Sequence, residues 1–356
     1  MKVVFRVDAS IYIGSGHVMR CLVLADELKK RGAEVKFSCI AQQGDMIDFI
    51  RERGHVVEVL LLDACSHTPT CPDDYLGWLR RPLTVDAQDF IEKNPSPDIV
   101  VTDHYAIGEA WQTLVKEKTG CLVVAIDDLE RSHNADLIVD QTLGRHADSY
   151  RSDGLVLTGI DFALLAPQFA LNRRHAQHRK IDLDKIKVLI SMGGIDQNNV
   201  TYKVAKAMAA LEQVELTILM SRRSPHFDCI ADWSKHQPNV VHLDFVHDMA
   251  SLMIDHDISI GAAGSTSWER ACLGMPSIIV PLADNQKEIC RQLVTHKMAL
   301  AIEQARIDSD IKTLFLELCA NWNDFVQNNF AICDGIGAQR VVNELYRLVN
   351  ENYDSM

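Results

Sequence analysis

The chain has 356 residues, 47% of them apolar and 24% charged, with a net charge of −13. That length suggests two domains, and the balance of apolar to charged residues is that of a globular protein rather than a disordered one. The negative charge argues against a nucleic-acid partner, which needs an extended basic surface, but it leaves room for a local cradle around a small anion. The 10 cysteines are scattered, with no Cys-x-x-Cys pair, and read as reduced core thiols of a cytoplasmic protein. The start, Met1-Lys2-Val3-Val4-Phe5-Arg6, has too short an apolar run for a signal peptide, and no run is long enough to span a bilayer.

Strand-like and helix-like segments alternate from the first residue. Val3-Val4-Phe5 reads as a strand and is followed by Ile13-Gly14-Ser15-Gly16-His17-Val18-Met19-Arg20, where a helical pattern begins and runs to Lys30. Apolar runs at 34–39, 56–61, 98–102, 121–126 and 137–139 read as further strands. Helical patterns lie at 45–53, 86–93 and 109–118. This is the signature of a parallel sheet wrapped by helices. Residues 62–82 have no clean period and read as an insertion on the domain surface. Residues 171–184, basic and non-periodic, read as a solvated linker.

A second alternation follows. Strands are expected at 185–191, 215–220, 240–243, 258–260 and 277–280, and helices at 199–211, 226–235, 247–254, 268–273, 286–295, 311–319 and 339–350. The expected organisation is an N-terminal domain over 1–170 and a C-terminal domain over 185–356, with final helices that can return to the first. The fold class expected is α/β: two doubly wound, Rossmann-like domains facing across a cleft. Ligands in such sheets bind beyond the carboxyl ends of the strands.

Three stretches can carry chemistry. Gly14 and Gly16 let the backbone approach a ligand, and the first turn of the following helix leaves N–H groups unpaired. His17, at the positive end of the helix dipole, is disfavoured as an imidazolium and suits a general base. A tight turn with an incidental histidine fits the same residues. The third glycine of a dinucleotide fingerprint is replaced by Met19, which argues against nicotinamide. In Gly261-Ala262-Ala263-Gly264-Ser265-Thr266-Ser267, small residues open a helix and suit a diphosphate. Glu269 suits the vicinal hydroxyls of a ribose. Close helix-to-sheet packing is the plainer reading. Asp284-Asn285-Gln286 offers amides to phosphate or sugar oxygens, or simply an N-cap. Asp127-Asp128 reads as solvated turn carboxylates rather than a metal pair, and Cys65, His67 and Cys71 lack zinc-site spacing.

Arg6-x-Asp8, the Ile13–Arg20 run, Asp103-His104-Tyr105 and Met192-Gly193-Gly194 together resemble the hydrolase family of pseudaminic acid synthesis, which acts on UDP-2,4-diacetamido-2,4,6-trideoxy-β-L-altropyranose. The stretch from Asp244-Phe245-Val246-His247-Asp248-Met249 through Glu269 to Gln286 is similar to the UDP-binding domain of the lipid II glucosaminyltransferase. The resemblance covers Lys2 to about Leu300 and implies the two-domain GT-B fold. It implies that His17 activates water for attack on the anomeric carbon, with inversion and without a metal or other cofactor. Gly264, Ser265 and Thr266 would hold the diphosphate, Glu269 the ribose, and the backbone around Val246 the uracil. Asn285 and Gln286 would contact sugar or phosphate. Asp8, Gly14, Gly16, Arg20, His104, Tyr105, Gly193, Gly194 and Met249 would line the substrate. One departure is Ala166, where an arginine is expected. The implied partner is a small-molecule UDP-sugar, with no nucleic acid or membrane, and the protein would be a monomer or weak homo-oligomer. A transferase of the same fold, or a non-catalytic nucleotide-sugar binder, are the alternatives.

Overall fold

The computed structural model describes residues 1–62, 67–70, 74–193, 195–283 and 286–354, with side chains through residue 351. Gly194, Asp284, Asn285, Cys65 and Cys71 lie outside the described residues. The chain forms two units. One comprises Met1–Leu164 with Gly337–Met356, the other Leu165–Ile336.

The first unit is built on seven parallel strands: β1 (Lys2–Val7), β2 (Glu34–Ile40), β3 (Val56–Leu60), β4 (Ile99–Asp103), β5 (Leu122–Ile126), β6 (Leu137–Asp140) and β7 (Leu155–Thr158), in the order β3-β2-β1-β4-β5-β6-β7. Alternation along β1 sends Val3, Phe5 and Val7 into one core and Val4 into another, so the sheet is covered on both faces. The first core takes Leu22, Leu24 and Leu28 of the helix Gly16–Lys30, and Phe5 stacks on Phe37 at 4.9 Å. It is completed by Val341, Val342 and Leu345 of the last helix, Gly337–Asp354. The second core takes Phe90 of Leu83–Lys93 and Trp111 and Val115 of Glu109–Thr119.

The second unit has six parallel strands: β8 (Ile186–Ser191), β9 (Val214–Leu219), β10 (Val240–Leu243), β11 (Ile258–Ala262), β12 (Ser277–Val280) and β13 (Ala299–Ala301), in the order β10-β9-β8-β11-β12-β13. β11 is buried along its whole length. In both sheets the strand order reverses once, between β1 and β4 and between β8 and β11. Those reversals are where doubly wound sheets open to ligands.

Two expectations change. The stretch at 171–184 is not simply a linker: the helix Pro167–Ala176 occupies its first part. The reason is anchoring that charge pattern does not reveal. Arg173 donates to the carbonyls of Cys272, Cys333 and Phe330, and Arg179 to those of Met253, His256, Leu273 and Gly274. The insertion is not confined to the surface either. Its helix Tyr75–Trp78 buries Trp78. Among the described residues no helix is long and apolar enough to cross a membrane.

Candidate active site

The turn after β1 is organised by Ser10, whose Oγ accepts the N–H groups of Tyr12 and Ile13 and whose carbonyl accepts that of Gly14. Gly14 sits at φ +77°, which a side chain would strain. Gly16 then starts the helix, and no side chain caps it. His17, 8% exposed, follows directly.

The parallel pairing of β1 with β4 sets Val7 opposite Asp103. Asp103 therefore arrives beside the helix start from 86 residues away, and its Oδ1 lies 2.6 Å from His17 Nδ1. Arg20, one turn further on, grips the same carboxylate with Nε at 2.6 Å and Nη2 at 2.7 Å. Burial works to raise the Asp103 carboxyl, but the Arg20 guanidinium and then His17 outweigh it and hold it well below the usual range. A carboxylate only accepts, so Nδ1 carries the proton and donates it to Asp103. Arg20 Nη2, 3.3 Å from Nδ1, faces it as a second donor and makes no competing bond. Nε2 is left with its lone pair, and no described residue hydrogen-bonds to it. The helix dipole alone was expected to govern this ring. A full charge at hydrogen-bond distance outranks a half charge spread over a helix start, so Asp103 fixes the tautomer.

The rest of the surroundings are aromatic and acidic. The Tyr105 ring lies edge-on to His17 at 4.7 Å between centroids, and its hydroxyl donates to Asp128 Oδ1 at 2.6 Å. Asp128 also takes Arg20 Nη1 at 3.2 Å. Trp78 stacks on Tyr105 at 5.3 Å and meets His17 edge-on at 6.2 Å. Tyr75 closes on Tyr105 at 4.9 Å. These two aromatics come from the segment read as a surface insertion.

The other first-unit residues singled out from sequence fall into two groups. His17, Tyr105, Gly14 and Gly16 gather around the helix start. Arg20 does too, but its guanidinium is committed to Asp103 and Asp128, so it shapes the site rather than offering a free cation. Asp8 and His104 are fully enclosed beneath. Asp8 pairs with Arg6 at 2.8 Å and accepts the Ile40 N–H. His104 accepts the Ala106 N–H at Nδ1, which leaves its proton on Nε2, 3.5 Å from Asp8. Burial, then the nearby Arg6, keeps His104 neutral. Arg6 itself is locked between Asp8 and Asp86. Asp127 is held by Arg131 and Tyr150.

In the second unit the segments that follow β8, β10, β11 and β12 carry the remaining candidates. Gly193 has φ +88°, and Gly264 has open space where a side chain would stand. Ser265 and Thr266 begin the helix Thr266–Cys272 and are partly exposed. On that helix Glu269 keeps Oε2 shielded from solvent with no partner. Burial raises its carboxyl to about 7, against the opposing pull of Arg270. Val246 lies in the loop after β10, and Met249 opens the helix Met249–Ile254, which Asp248 caps. Gln286 starts the helix after β12, and its side-chain oxygen accepts the Leu282 N–H. The Asp103 partnership, Asp128 and Trp78 are what sequence reading missed. Asp103 was visible as part of a strand-ending triplet, but no spacing rule linked it to His17.

Residues 187–327 match the family model described as the glycosyltransferase family 28 C-terminal domain. That match lies within the second unit, Leu165–Ile336, and covers most of it. Over longer spans, the chain is 25% identical across 263 residues to the UDP-2,4-diacetamido-2,4,6-trideoxy-β-L-altropyranose hydrolase of Campylobacter jejuni, covering 72% of this chain and 79% of that one. It is 21% identical across 353 residues to the UDP-N-acetylglucosamine–N-acetylmuramyl-(pentapeptide) pyrophosphoryl-undecaprenol N-acetylglucosamine transferase of Flavobacterium psychrophilum, covering 94% and 95%. The crystal structure of Acinetobacter baumannii MurG superposes with a TM-score of 0.65 at 17% identity, over 97% of this chain and 99% of that one. The fold is thus α/β with two Rossmann-like units, as the sequence pattern implied, and of the GT-B class, as the resemblance implied.

Proposed function

We propose that the protein is a nucleotide-sugar hydrolase that releases UDP from UDP-2,4-diacetamido-2,4,6-trideoxy-β-L-altropyranose. The observation that carries this reading is the His17–Asp103 pair, with Nδ1–H given to a buried carboxylate and Nε2 unpartnered. Such a ring accepts a proton at Nε2 while its orientation and tautomer stay fixed. In the proposed step, water attacks the anomeric carbon and the bond from that carbon to the UDP oxygen breaks with inversion. The water proton passes to Nε2, and Asp103 stabilises the resulting imidazolium. UDP departs as an already stabilised anion, so little acid assistance is needed. The Gly264–Thr266 loop would hold the diphosphate, Glu269 the ribose, and the chain around Val246 the uracil. The similarity to the Campylobacter hydrolase supports the choice of sugar and of water as nucleophile.

A second reading has its own support. The similarity to the N-acetylglucosamine transferase runs over nearly the whole of both chains. The same Nε2 would serve an acceptor hydroxyl equally well, making the protein a UDP-sugar glycosyltransferase.

The deciding experiment follows the altrose-configured substrate by NMR in ¹⁸O-labelled water. Hydrolysis as proposed gives free UDP without label and a sugar labelled at its anomeric oxygen. Label on the phosphate, or UDP release only when an acceptor alcohol is added, would replace the hydrolase reading. His17→Ala should abolish release while UDP still binds; normal turnover by that variant would remove His17 from its role.

A further inference from the structure

Arg270, on the helix Thr266–Cys272, is 2% exposed. Its Nη2 donates to the Ala262 carbonyl and to Ser267 Oγ, each at 2.9 Å. Ala262 is the last residue of β11, and Ser267 is the second residue of the helix. One edge of the guanidinium therefore braces the turn between them, which contains Gly264, Ser265 and Thr266.

The rest of the guanidinium differs from Arg6 and Arg20, and it shares an unpartnered buried Nε with Arg179, which is less enclosed and binds only carbonyls. Arg6 has two carboxylates, Asp8 and Asp86, and Arg20 has Asp103 and Asp128. Arg270 Nε is buried with no partner, and no carboxylate among the described residues forms an ion pair with it. Burial lowers it only to about 10, with Glu269 pulling the other way, so it is charged at neutral pH. A buried cation with no carboxylate at ion-pair distance is costly in a finished core. The fold nevertheless makes room for it. A Cβ at Gly261 would stand 2.4 Å from the Ser191 carbonyl and 3.0 Å from Arg270 Nη1.

We propose that Arg270 is a positioning residue for a diphosphate: it braces the Gly264–Thr266 loop and holds a positive charge, in no ion pair, beneath the anion which that loop receives. The proposal rests on the nucleotide reading above for the identity of the ligand, but not for its charge.

The test measures binding of UDP, uridine and inorganic pyrophosphate by calorimetry to the full-length protein and to Arg270→Met and Arg270→Lys. Arg270→Met should weaken UDP and pyrophosphate roughly tenfold or more, the size of a lost charge-assisted contact, and leave uridine unchanged. Arg270→Lys keeps the charge but not the fork, and should fall between, which also serves if the methionine variant does not fold. Equal UDP affinity in all three proteins, or equal losses for UDP and uridine, would overturn the proposal. Pyrophosphate binding without UDP binding in the unmodified protein would remove the nucleotide reading and leave the anion site standing. Binding of neither would remove both.

Discussion

Asp103 is the residue on which the first unit's chemistry turns. It accepts from His17, Arg20 and the Cys21 thiol, and replacing it has two separable consequences. In Asp103→Asn the amide cannot accept at both oxygens, and the His17 tautomer is no longer fixed. Turnover should fall by roughly 10²–10⁴, the range associated with a positioned general base, while UDP binding is retained. Stability should fall as well, by about 3–5 kcal/mol, because Arg20 is left buried without its main partner. Unchanged turnover in a folded variant would show that the pair is only structural. Glu269 makes a prediction about pH. Its carboxyl is raised by burial from 4.5 to about 7, so between those values the unfolded chain has lost a proton that the folded protein keeps. This group therefore lowers stability as pH rises across that window, and Glu269→Gln should flatten that part of the slope in denaturant titrations. Ribose hydroxyls donate best to the ionised form, so UDP affinity should climb between pH 6 and 8 more steeply in the unmodified protein than in Glu269→Gln. Parallel affinity curves for the two proteins would take Glu269 away from the ribose.

At the scale of elements, the instructive case is the short helix Tyr75–Trp78. It is held by Asp74, which caps Gly77 and accepts from Thr70 and His67. The segment has no helical or strand period, because its aromatics are spaced to meet Tyr105 and His17 rather than a regular face. Trp78→Ala should open a void beside His17. Loss of a buried tryptophan costs about 3–5 kcal/mol, and turnover should drop with it while UDP affinity holds. Turnover that survives with the full stability loss would make the tryptophan mere packing. The helices Gly16–Lys30 and Glu109–Thr119 were legible to within a residue or so, since each has a wide apolar face. The strands β7 and β13 escaped sequence reading. The helix Pro167–Ala176 escaped because arginines that read as solvated instead bind backbone carbonyls of neighbouring elements.

For the whole molecule, the C-terminal helix Gly337–Asp354 belongs to the first unit, although the second unit precedes it in sequence. Its Leu345 is 1% exposed in the core that also holds Leu22 and Leu28. Leu345→Ala should cost about 2–5 kcal/mol. The loss should appear in the unfolding transition of the first unit and leave UDP affinity in place. A variant in which UDP affinity and stability fall together would show the units to be energetically inseparable. The sequence by itself determined the two parallel sheets, the glycine turn that leads into His17, and the small-residue loop before Glu269. These are local patterns, read from the spacing of apolar residues and from glycines that only certain backbones require. Only the tertiary structure decided that Asp103 holds His17, that Arg20 is bound to the protein, that Trp78 reaches the site, and that Arg270 lies under the loop without a carboxylate. Each of those depends on strand register or packing between residues far apart in the chain, and no periodicity in the sequence records it.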